Sequence, residues 1–485
     1  MSEKAKELFV SGAQLERDFD FESAKKVYEQ VISDFPETDH AGKAQGRLAD
    51  MDSLIEEKKI YERIDKSAKD VLSKIGINVS ESPEIMEILM EADAVDFDNE
   101  EAVFVPLKPD YVERCLELVP RTFAGDPGRN CFGTGATPPF LKREGDDELR
   151  GASRDEFEKI VRVVGEKSDV VDIFSVPVQT DKSMSDYECA RAMEDGFSGL
   201  KMISTKKMTD EEVLFLKGKN DWVDGTSLMT SMTYMNTMVS PFIRSAGSGN
   251  NLLLLDLTIA GASGPNTPES LLTLIHAQVL SMMVLAQTVN PGVTCLHGGI
   301  PGVTESGGDL SYSSPSQPLI NAAMARLNLW VSKFPSAQSG GSSSAWEDLY
   351  TAIAESDLSR NTLRKYGVHI VRHALGALGS LNFFSLLKFK EDCDRENIAR
   401  KVFEESQTRE TGVIPLYFPA DDTSFEGIKE MAEKGNPKNT DHSLRNVEAF
   451  MKWEKTVNEA AKKKLYFPQL NDTVIEIISQ GEMTP

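Results

Sequence analysis

LLLLDLTI (Leu252–Ile259) is an apolar run of strand length, broken only by Asp256 and Thr258. Strands of an antiparallel sheet usually alternate apolar and polar residues because one face meets solvent, whereas a strand buried on both faces is apolar almost throughout. The run therefore predicts a strand of a parallel sheet with helices packed on its faces.

Short β-rich runs of this kind recur along the chain, each followed by turn residues and a helix-like segment. Four of them begin at residues 171, 200, 226 and 252, a spacing of 26 to 29 residues that suits repeated βα units. The predicted strands lie at residues 131–134, 171–179, 200–205, 226–231, 252–259, 292–297, 329–334 and 368–373. Eight such units predict a (β/α)8 TIM barrel, with a doubly wound open sheet as the alternative fold.

The chain divides into four predicted regions around this barrel. Residues 1–60 form a helical extension, 61–130 a helical and loop layer, 131–390 the catalytic barrel, and 391–485 a C-terminal helical extension. In the first region, small, aromatic and proline residues fall at the positions of one tetratricopeptide repeat: Leu8, Gly12, Leu15, Ala24, Tyr28, Val31 and Pro36. One repeat cannot bury its faces alone, so we expect it to dock on the rest of the chain or on a partner protein.

Composition excludes several classes of function. The 485 residues include 53 Lys and Arg against 77 Asp and Glu, and the net charge of −24 would repel nucleic acid or an anionic membrane surface. The apolar stretch 270–289 contains His276, Gln278, Ser281 and Gln287, so no membrane span is predicted.

Cysteine usage indicates a reducing compartment. Five widely spaced cysteines without a CxxC pair fit neither a disulfide framework nor a structural zinc site: Cys115, Cys131, Cys189, Cys295 and Cys393. The N-terminal MSEKAKELFV lacks the apolar core of a signal peptide. We therefore expect a cytoplasmic protein.

The loops that follow the carboxyl ends of the strands build the active site of a barrel enzyme. Here these loops are polar but poor in acids and contain no HxH or HExxH spacing, so a metal held by side chains is not predicted. Two glycine-rich segments follow predicted strands, at residues 297–302 and 339–344. Three interpretations of them stay open: simple turns, anion binding by loop amides, and shaping of a close-fitting pocket.

Four segments carry a family resemblance: FGTGATPPF (132–140), LAQTVNPG (285–292), SSPSQPLINAAMARL (313–327) and FPSAQSGGSSSAWEDLY (334–350). Over roughly residues 60–470 the chain resembles the trimethylamine methyltransferase family of corrinoid-dependent amine methyltransferases. The resemblance implies a (β/α)8 barrel, a methylated amine as substrate and a cognate corrinoid protein as partner. The corrinoid belongs to that partner, and this chain is expected to bind none. A homo-oligomer is also compatible with it.

In the trimethylamine enzymes of that family, pyrrolysine follows the two glycines that match Gly340 and Gly341. This chain has an ordinary residue there, Ser342, or Ser343 if the alignment slips by one position. It thus resembles the branch without pyrrolysine, whose characterised members demethylate quaternary amines such as glycine betaine. A quaternary ammonium leaves as a neutral tertiary amine, so no general acid is needed.

Such chemistry requires a pocket that orients the substrate and excludes water. Aromatic faces hold a trimethylammonium group, and the candidates are Phe132, Phe140, Tyr234, Tyr312, Phe334 and Trp346. A substrate carboxylate would need a cation or loop amides, for which the candidates are His297, His369 and Arg372. From these sets and the glycine-rich segment we predict a substrate site of Phe132, Tyr234, His297, Tyr312, Gln338, Gly340, Gly341, Ser342, Trp346 and His369, with no catalytic residue assigned.

Two other functions compete with methyl transfer. A barrel lyase or aldolase acting on a phosphorylated substrate is supported only by the glycine-rich segments, and its catalytic lysine is missing, since Lys201 lies near the start of a strand. A barrel without catalytic activity could instead serve as a scaffold that binds a partner through the N-terminal repeat.

Overall fold

The computed structural model describes residues 2–96, 104–126, 130–135, 137–143, 148–230, 232–303, 310–407 and 412–416. The described helices are α1 (Ser2–Arg17), α2 (Phe21–Asp34), α3 (Asp39–Asp70), α4 (Pro83–Glu91), α5 (Pro109–Leu118), α6 (Arg154–Glu166), α7 (Asp186–Gly196), α8 (Asp210–Val213), α9 (Asn236–Gly247), α10 (Pro268–Val289), α11 (Ser316–Arg326), α12 (Leu349–Lys365) and α13 (Leu386–Gln407). Shorter helical turns lie at Val71–Ile75, Leu214–Leu216 and Leu327–Ser332.

The strands are β1 (Ile77–Asn78), β2 (Phe104–Val105), β3 (Cys131–Phe132), β4 (Phe140–Lys142), β5 (Ile173–Ser175), β6 (Leu200–Ile203), β7 (Trp222–Thr226), β8 (Met229–Thr230), β9 (Thr233–Tyr234), β10 (Leu252–Ile259), β11 (Cys295–Gly302), β12 (Ala337–Ser339), β13 (Ile370–Arg372), β14 (Ala377–Leu378) and β15 (Phe383–Ser385). One parallel sheet has the order β11-β10-β7-β6-β5, and a second has the order β12-β13-β3. Two small mixed sheets, β2-β1-β9-β8 and β14-β15-β4, complete the described pairing.

The two parallel sheets meet at both of their edges. Beside β3 and β5, the Thr134 amide donates to the Ile173 carbonyl at 3.2 Å, and beside β11 and β12 the His297 amide donates to the Pro335 carbonyl at 2.8 Å. One apolar cluster takes residues from all eight strands of these sheets: Cys131, Ile173, Leu200, Met202, Val223, Leu253, Leu296, Ala337 and Ile370. The predicted α/β class with parallel sheets is confirmed.

Three of the helices that follow strands begin with the same local signal. A serine or threonine cap accepts a hydrogen bond from the third helical amide, and a glutamate at that position bonds back to the cap amide. The pairs are Ser153 with Glu156, Ser185 with Glu188, and Thr209 with Glu212. The sequence thus fixes where α6, α7 and α8 begin after the loops at the strand ends.

Two predicted strands are misplaced. The strand expected at 226–231 lies at Trp222–Thr226, and the chain then forms the β8–β9 hairpin. The segment expected as a strand at 329–334 is mostly helical, because Leu327–Ser332 continues α11 and ends at Lys333, whose φ of 59° is left-handed. Trp330 is buried there, and short apolar runs do not by themselves distinguish a strand from a buried helix.

The N-terminal helices pack on the chain's own body. Gly12 of α1 faces the Tyr28 ring of α2, and an added Cβ would lie 2.9 Å from that ring. Further along, the Trp330 ring contacts those of Phe19, Phe21 and Tyr61 at centroid distances of 5.0 to 5.6 Å. The predicted region boundaries stay a prediction. Of the C-terminal region, only α13 through Gln407 and residues 412–416 are among the described residues.

Helix α10 is the most apolar long helix of the described chain. Its length and composition would allow it to cross a membrane, but 89% of its most apolar window is buried inside the protein. Burial between α3 and the β10–β11 pair accounts for that composition. All five cysteines are buried and none forms a disulfide.

Candidate active site

Small and polar residues occupy the inward face of the parallel strands near their carboxyl ends. Successive side chains of a strand point to opposite faces. Ile173, Ala337 and Ile370 belong to the apolar cluster that draws on all eight strands, which we call the inner apolar cluster. The residues two positions later, Ser175, Ser339 and Arg372, therefore face the same side. The corresponding positions of three other strands are glycines: Gly133, Gly225 and Gly298. At Gly133 and Gly298 an added Cβ would lie 2.4 Å and 2.6 Å from a backbone carbonyl oxygen of the neighbouring strand, so close packing of the strands requires glycine there.

Arg372 is the most unusual of these residues. Its side chain is buried, and its Nε and Nη2 atoms have no hydrogen-bond partner within the described chain. Burial lowers the pKa of Arg372 to about 10, while the nearby Tyr312 hydroxyl acts in the opposite direction. A buried cation is costly unless it is paired. The guanidinium is therefore placed to receive an anionic group from a ligand.

A chain of hydrogen bonds lies next to Arg372. The Ser339 hydroxyl contacts the Tyr312 hydroxyl at 3.0 Å and the His373 Nδ1 atom at 2.8 Å. Burial, assisted by the charge of Arg372, holds the pKa of His373 well below its usual range. His373 is therefore neutral near pH 7, and its left-handed φ of 64° marks a constrained backbone at the strand end.

Ser175 and Gly135 approach His373 from the other side of this region. A Cβ added at Gly135, whose φ is +146°, would lie 3.1 Å from the His373 ring and 3.3 Å from the Ser175 hydroxyl. That hydroxyl is buried and has no hydrogen-bond partner within the described chain. Glycine at position 135 thus keeps open the space between Ser175 and His373.

The glycine-rich segment after β12 is closely packed by its own chain. Gly340 has no room for a Cβ because Leu363 of α12 would lie 2.2 Å away, and the Gly341 amide donates to the Ser359 hydroxyl at 2.9 Å. The Glu355 carboxylate accepts hydrogen bonds from the Ser343 hydroxyl and from the amides of Ser344 and Ala345. A carboxylate of the protein thus occupies two amides at the end of this segment, and these two are not available to bind a phosphate.

Two other predicted residues of this segment are buried without a hydrogen-bond partner in the described chain. They are Gln338, through both of its amide atoms, and Ser342, through its hydroxyl. Next to them, the Ser344 hydroxyl accepts from the Tyr312 amide at 2.9 Å. The described contacts therefore join Tyr312 to Ser339 and Ser344. Gln338 alternates to the opposite face of β12 from Ala337 and Ser339.

Trp346 belongs to an aromatic cluster beside the same segment. Its ring stacks on that of Phe383 at a centroid distance of 5.5 Å and an angle of 13°, and the Phe383 ring lies 5.6 Å from that of Phe140. Phe140 and Phe383 sit on the paired strands β4 and β15, which follow β3 and β13 in the chain. The cluster therefore lies on elements that follow β3 and β13 in the chain, with Phe140 and Phe383 buried and Trp346 partly buried against them.

The other two aromatic residues of the predicted site point into packing layers. Phe132 belongs to the main core, the large buried cluster that also contains Phe157 and Ile160 of α6, and the Arg364 guanidinium lies 4.9 Å from its ring centroid. Tyr234 is buried against α10, where its hydroxyl contacts the Ser281 hydroxyl at 3.0 Å. Both rings are occupied by the protein itself, so we leave them out of the proposed site.

The two predicted histidines also lie elsewhere. His369 is exposed at the amino end of β13, opposite the end that carries Arg372. His297 is buried against α10, with its Nε2 atom 3.0 Å from the His276 Nδ1 atom, and His276 Nε2 lies 3.0 Å from Asp65. The Gly299 amide donates to His297 Nδ1 at 3.2 Å, so both ring nitrogens of His297 are used within the protein.

Ser175 and His373 were not among the predicted site residues. A period-2 pattern could have placed Ser175 on the face of Ile173, two residues earlier, but not at a strand end, because the predicted strand continued to residue 179. His373 directly follows Arg372, but its orientation depends on a left-handed backbone conformation that the sequence pattern does not predict. Among the described residues, no group of three or more His, Cys, Asp or Glu could hold a metal ion.

Near the carboxyl ends of the parallel strands, the described chain thus holds hydroxyl groups, aromatic rings and the Arg372 guanidinium, two nitrogens of which have no hydrogen-bond partner there. Groups of these types bind small polar ligands in proteins. The model of the trimethylamine methyltransferase (MTTB) family matches residues 33–456, and the chain belongs to that family. Family membership supports methyltransferase activity.

The chain is also similar to individual known proteins. The glycine betaine methyltransferase of Desulfitobacterium hafniense is 23% identical over 465 residues, covering 88% of each chain. Among solved structures, the monomethylamine methyltransferase MtmB of Methanosarcina barkeri is 8% identical, with a TM-score of 0.29, and covers 78% of this chain and 94% of its own. An MtmB complex with hydroxylamine matches at 9% identity and the same TM-score.

Proposed function

We propose that the protein transfers a methyl group from a quaternary amine that also bears a carboxylate, a molecule like glycine betaine, to the Co(I) corrinoid of a separate protein. The observation that carries this proposal is Arg372, a buried cation near Tyr312 with two nitrogens that have no hydrogen-bond partner within the described chain. Family membership supplies the methyl-transfer chemistry. The name of the Desulfitobacterium relative supports the choice of substrate.

We propose further that the eight parallel strands close into a complete barrel. Hydrogen bonds join the two sheets at both edges, and a single inner cluster draws residues from each of the eight strands. The substrate would then lie at the carboxyl end of the barrel, where Ser175, Ser339 and Arg372 face inward.

In this proposal the protein positions the substrate and excludes water, and it transfers no proton. The partner's corrinoid supplies the nucleophile, and the amine leaves as a neutral tertiary amine. Arg372 binds the carboxylate, with the Ser175 hydroxyl as a further donor. The aromatic cluster of Phe140, Trp346 and Phe383 faces the ammonium group. Correct positioning alone is worth about 7–11 kcal/mol of barrier.

The partner and the location of the protein are also proposals. A cognate corrinoid protein is proposed as the partner on the basis of family membership. The five free, buried cysteines favour a cytoplasmic location. The oligomeric state is left open, and a homo-oligomer is compatible with the fold.

The lyase or aldolase hypothesis finds less support. Lys201 is buried, and its Nζ atom donates to the Asp221 carboxylate at 2.6 Å and to two backbone carbonyls. An amine held in this way is not available as a nucleophile. Glu355 occupies two of the loop amides that would bind a phosphate. The structure gives the two features of that hypothesis other roles.

Substituting Arg372 tests the substrate assignment. Arg372→Gln should raise KM for glycine betaine by about a hundredfold or more, since a charge-paired contact is lost. Tetramethylammonium has no carboxylate and serves as the matched control substrate, for which the variant should behave like the wild type. Equal losses on both substrates would show that Arg372 acts on folding or on the methyl group. No loss on either would remove it from the site.

A further inference from the structure

A second built site lies far from the strand ends, between the N-terminal helices and α11. Residues 412–416, Gly-Val-Ile-Pro-Leu, run there without secondary structure, and we call them the strap. Charged side chains of the helices bind four backbone groups of the strap. Such recognition of the main chain is characteristic of a bound extended peptide.

The first pair of contacts comes from α1 and α3. The Glu16 carboxylate accepts from the Val413 amide at 2.6 Å, and the Arg47 guanidinium donates to the Val413 carbonyl at 2.8 Å. Glu16 and Arg47 also bond to each other at 2.5 Å, and the Tyr28 hydroxyl donates to Glu16 at 2.8 Å. The three side chains form one Tyr–Glu–Arg triad.

A second triad repeats this chemistry three residues further along the strap. The Glu57 carboxylate accepts from the Leu416 amide at 2.8 Å, and the Arg326 guanidinium donates to the Ile414 carbonyl at 2.7 Å. Arg326 bonds to Glu57 at 2.7 Å, and the Tyr61 hydroxyl donates to Glu57 at 2.8 Å. Each triad thus binds one amide and one carbonyl of the strap.

Two positions of the strap are restricted in size. A Cβ added at Gly412 would lie 2.2 Å from the Glu16 carboxylate and 2.3 Å from the Arg47 guanidinium, so only glycine fits without displacing that pair. Leu416 is 3% exposed and packs in the main core, whereas Ile414 is 37% exposed. The site therefore selects glycine at one end and an apolar side chain at the other.

We propose that the N-terminal helices and α11 form a peptide-binding clamp for a segment of the pattern Gly-x-x-x-Leu, and that the chain's own strap is its occupant. The N-terminal helical unit then acts within its own chain, tying the segment that follows α13 to the barrel. The two triads carry no net charge, so the ligand is a neutral backbone and not an acidic or basic peptide.

Hydrogen exchange of the full-length protein tests the clamp. In the wild type, the amides of Val413 and Leu416 should exchange slowly. Gly412→Ala should speed their exchange by roughly tenfold or more, because at least one charge-assisted hydrogen bond is lost. Ile414→Ala is the matched control, because the clamp uses only the backbone of that residue. It should leave the protection unchanged.

A peptide added in trans provides the second readout. A labelled Gly-Val-Ile-Pro-Leu peptide with blocked ends should bind the full-length Gly412→Ala protein and not the wild type, whose own strap fills the site. Equal protection in Gly412→Ala and the wild type would contradict the proposal, as would equal loss in Ile414→Ala. A Gly412→Ala chain that does not fold, or that folds and ignores the peptide, would also overturn it.

Discussion

At the scale of single residues, the missing hydrogen bonds are the most informative feature of the site. Buried polar groups in folded proteins almost always have partners. Arg372, Ser175 and Ser342 have buried polar atoms without a partner in the described chain, and all three lie at or just after the carboxyl ends of parallel strands. A ligand with an anionic and a polar group would satisfy them together.

Ser342 provides a direct test of a purely positional mechanism. Its hydroxyl has no partner in the described chain, so Ser342→Ala should leave the fold intact and remove at most one contact to the substrate. A single hydrogen bond of about 0.5–1.5 kcal/mol corresponds to a loss in single-turnover methyl transfer of roughly tenfold or less.

Ser343→Ala is the comparison for that experiment, because the Ser343 hydroxyl is already bound by Glu355. It should lower stability and leave the rate of the folded protein close to that of the wild type. A thousandfold loss in a folded Ser342→Ala protein would instead make the serine a participant in the chemistry.

Sequence alone could not select these residues with certainty. Ser342 was predicted because it follows two glycines, and Arg372, inside the predicted strand 368–373, was a candidate for a substrate carboxylate but was not in the predicted site. His297 was an equally good candidate from the sequence. It faces α10, because its neighbour Leu296 takes the inward position. Which face a strand residue takes depends on register, and a shift of one residue reverses it.

At the scale of elements, the apolar run of β10 predicts the position of the strand well but does not predict the environment of its one acidic residue. The strand was placed correctly at Leu252–Ile259, but its single acid, Asp256, is buried on the face toward α10. Thr258 donates a hydrogen bond to it at 2.9 Å, and the described chain offers it no ion pair. Burial raises the pKa of Asp256 to about 7.

This shift predicts a pH dependence of stability. Because the folded pKa lies above that of an unfolded aspartate, about 3.9, the folded state holds the proton more tightly, and the free energy of unfolding falls as pH rises toward 7. Asp256→Asn lacks a titrating proton. Its advantage in unfolding free energy over the wild type should therefore grow by about 2 kcal/mol between pH 5.5 and pH 8.

Denaturant unfolding at the two pH values measures that difference. Asp52→Asn replaces an exposed carboxylate and should follow the pH profile of the wild type. A pH-independent difference between Asp256→Asn and the wild type would mean that Asp256 is not protonated in the folded protein.

The aromatic cluster at β4 and β15 carries the prediction for the ammonium group. Trp346→Ala should raise KM for a quaternary amine, because a cation–π contact of roughly 0.5–2 kcal/mol is lost, whereas Trp346→Phe should retain most of the affinity. Tyr350 is 85% exposed and four residues away, so Tyr350→Ala is the matched control. Equal KM values for Trp346→Ala and the wild type would place the ammonium elsewhere.

At the scale of the whole molecule, repeated spacing was the strongest signal in the sequence. It predicted the parallel α/β architecture, and seven of the eight predicted strands overlap observed ones, although the strand predicted at 226–231 shares only Thr226 with β7. The strand at residues 337–339 was missed because it is short and polar, Ala-Gln-Ser, while the apolar residues just before it belong to a helix. The packing of the N-terminal helices on the body depends on contacts between distant parts of the chain, which spacing does not reveal.

Methyl transfer from a quaternary amine is the central claim, and one spectroscopic measurement tests it directly. Under anaerobic conditions, free cob(I)alamin is mixed with the full-length protein and either glycine betaine or trimethylamine, and loss of the Co(I) absorbance is followed. We predict methylation of the cobalt with glycine betaine, strongly reduced in Arg372→Gln, and none with trimethylamine. Methylation from trimethylamine, or equal rates in the wild type and Arg372→Gln, would contradict the account.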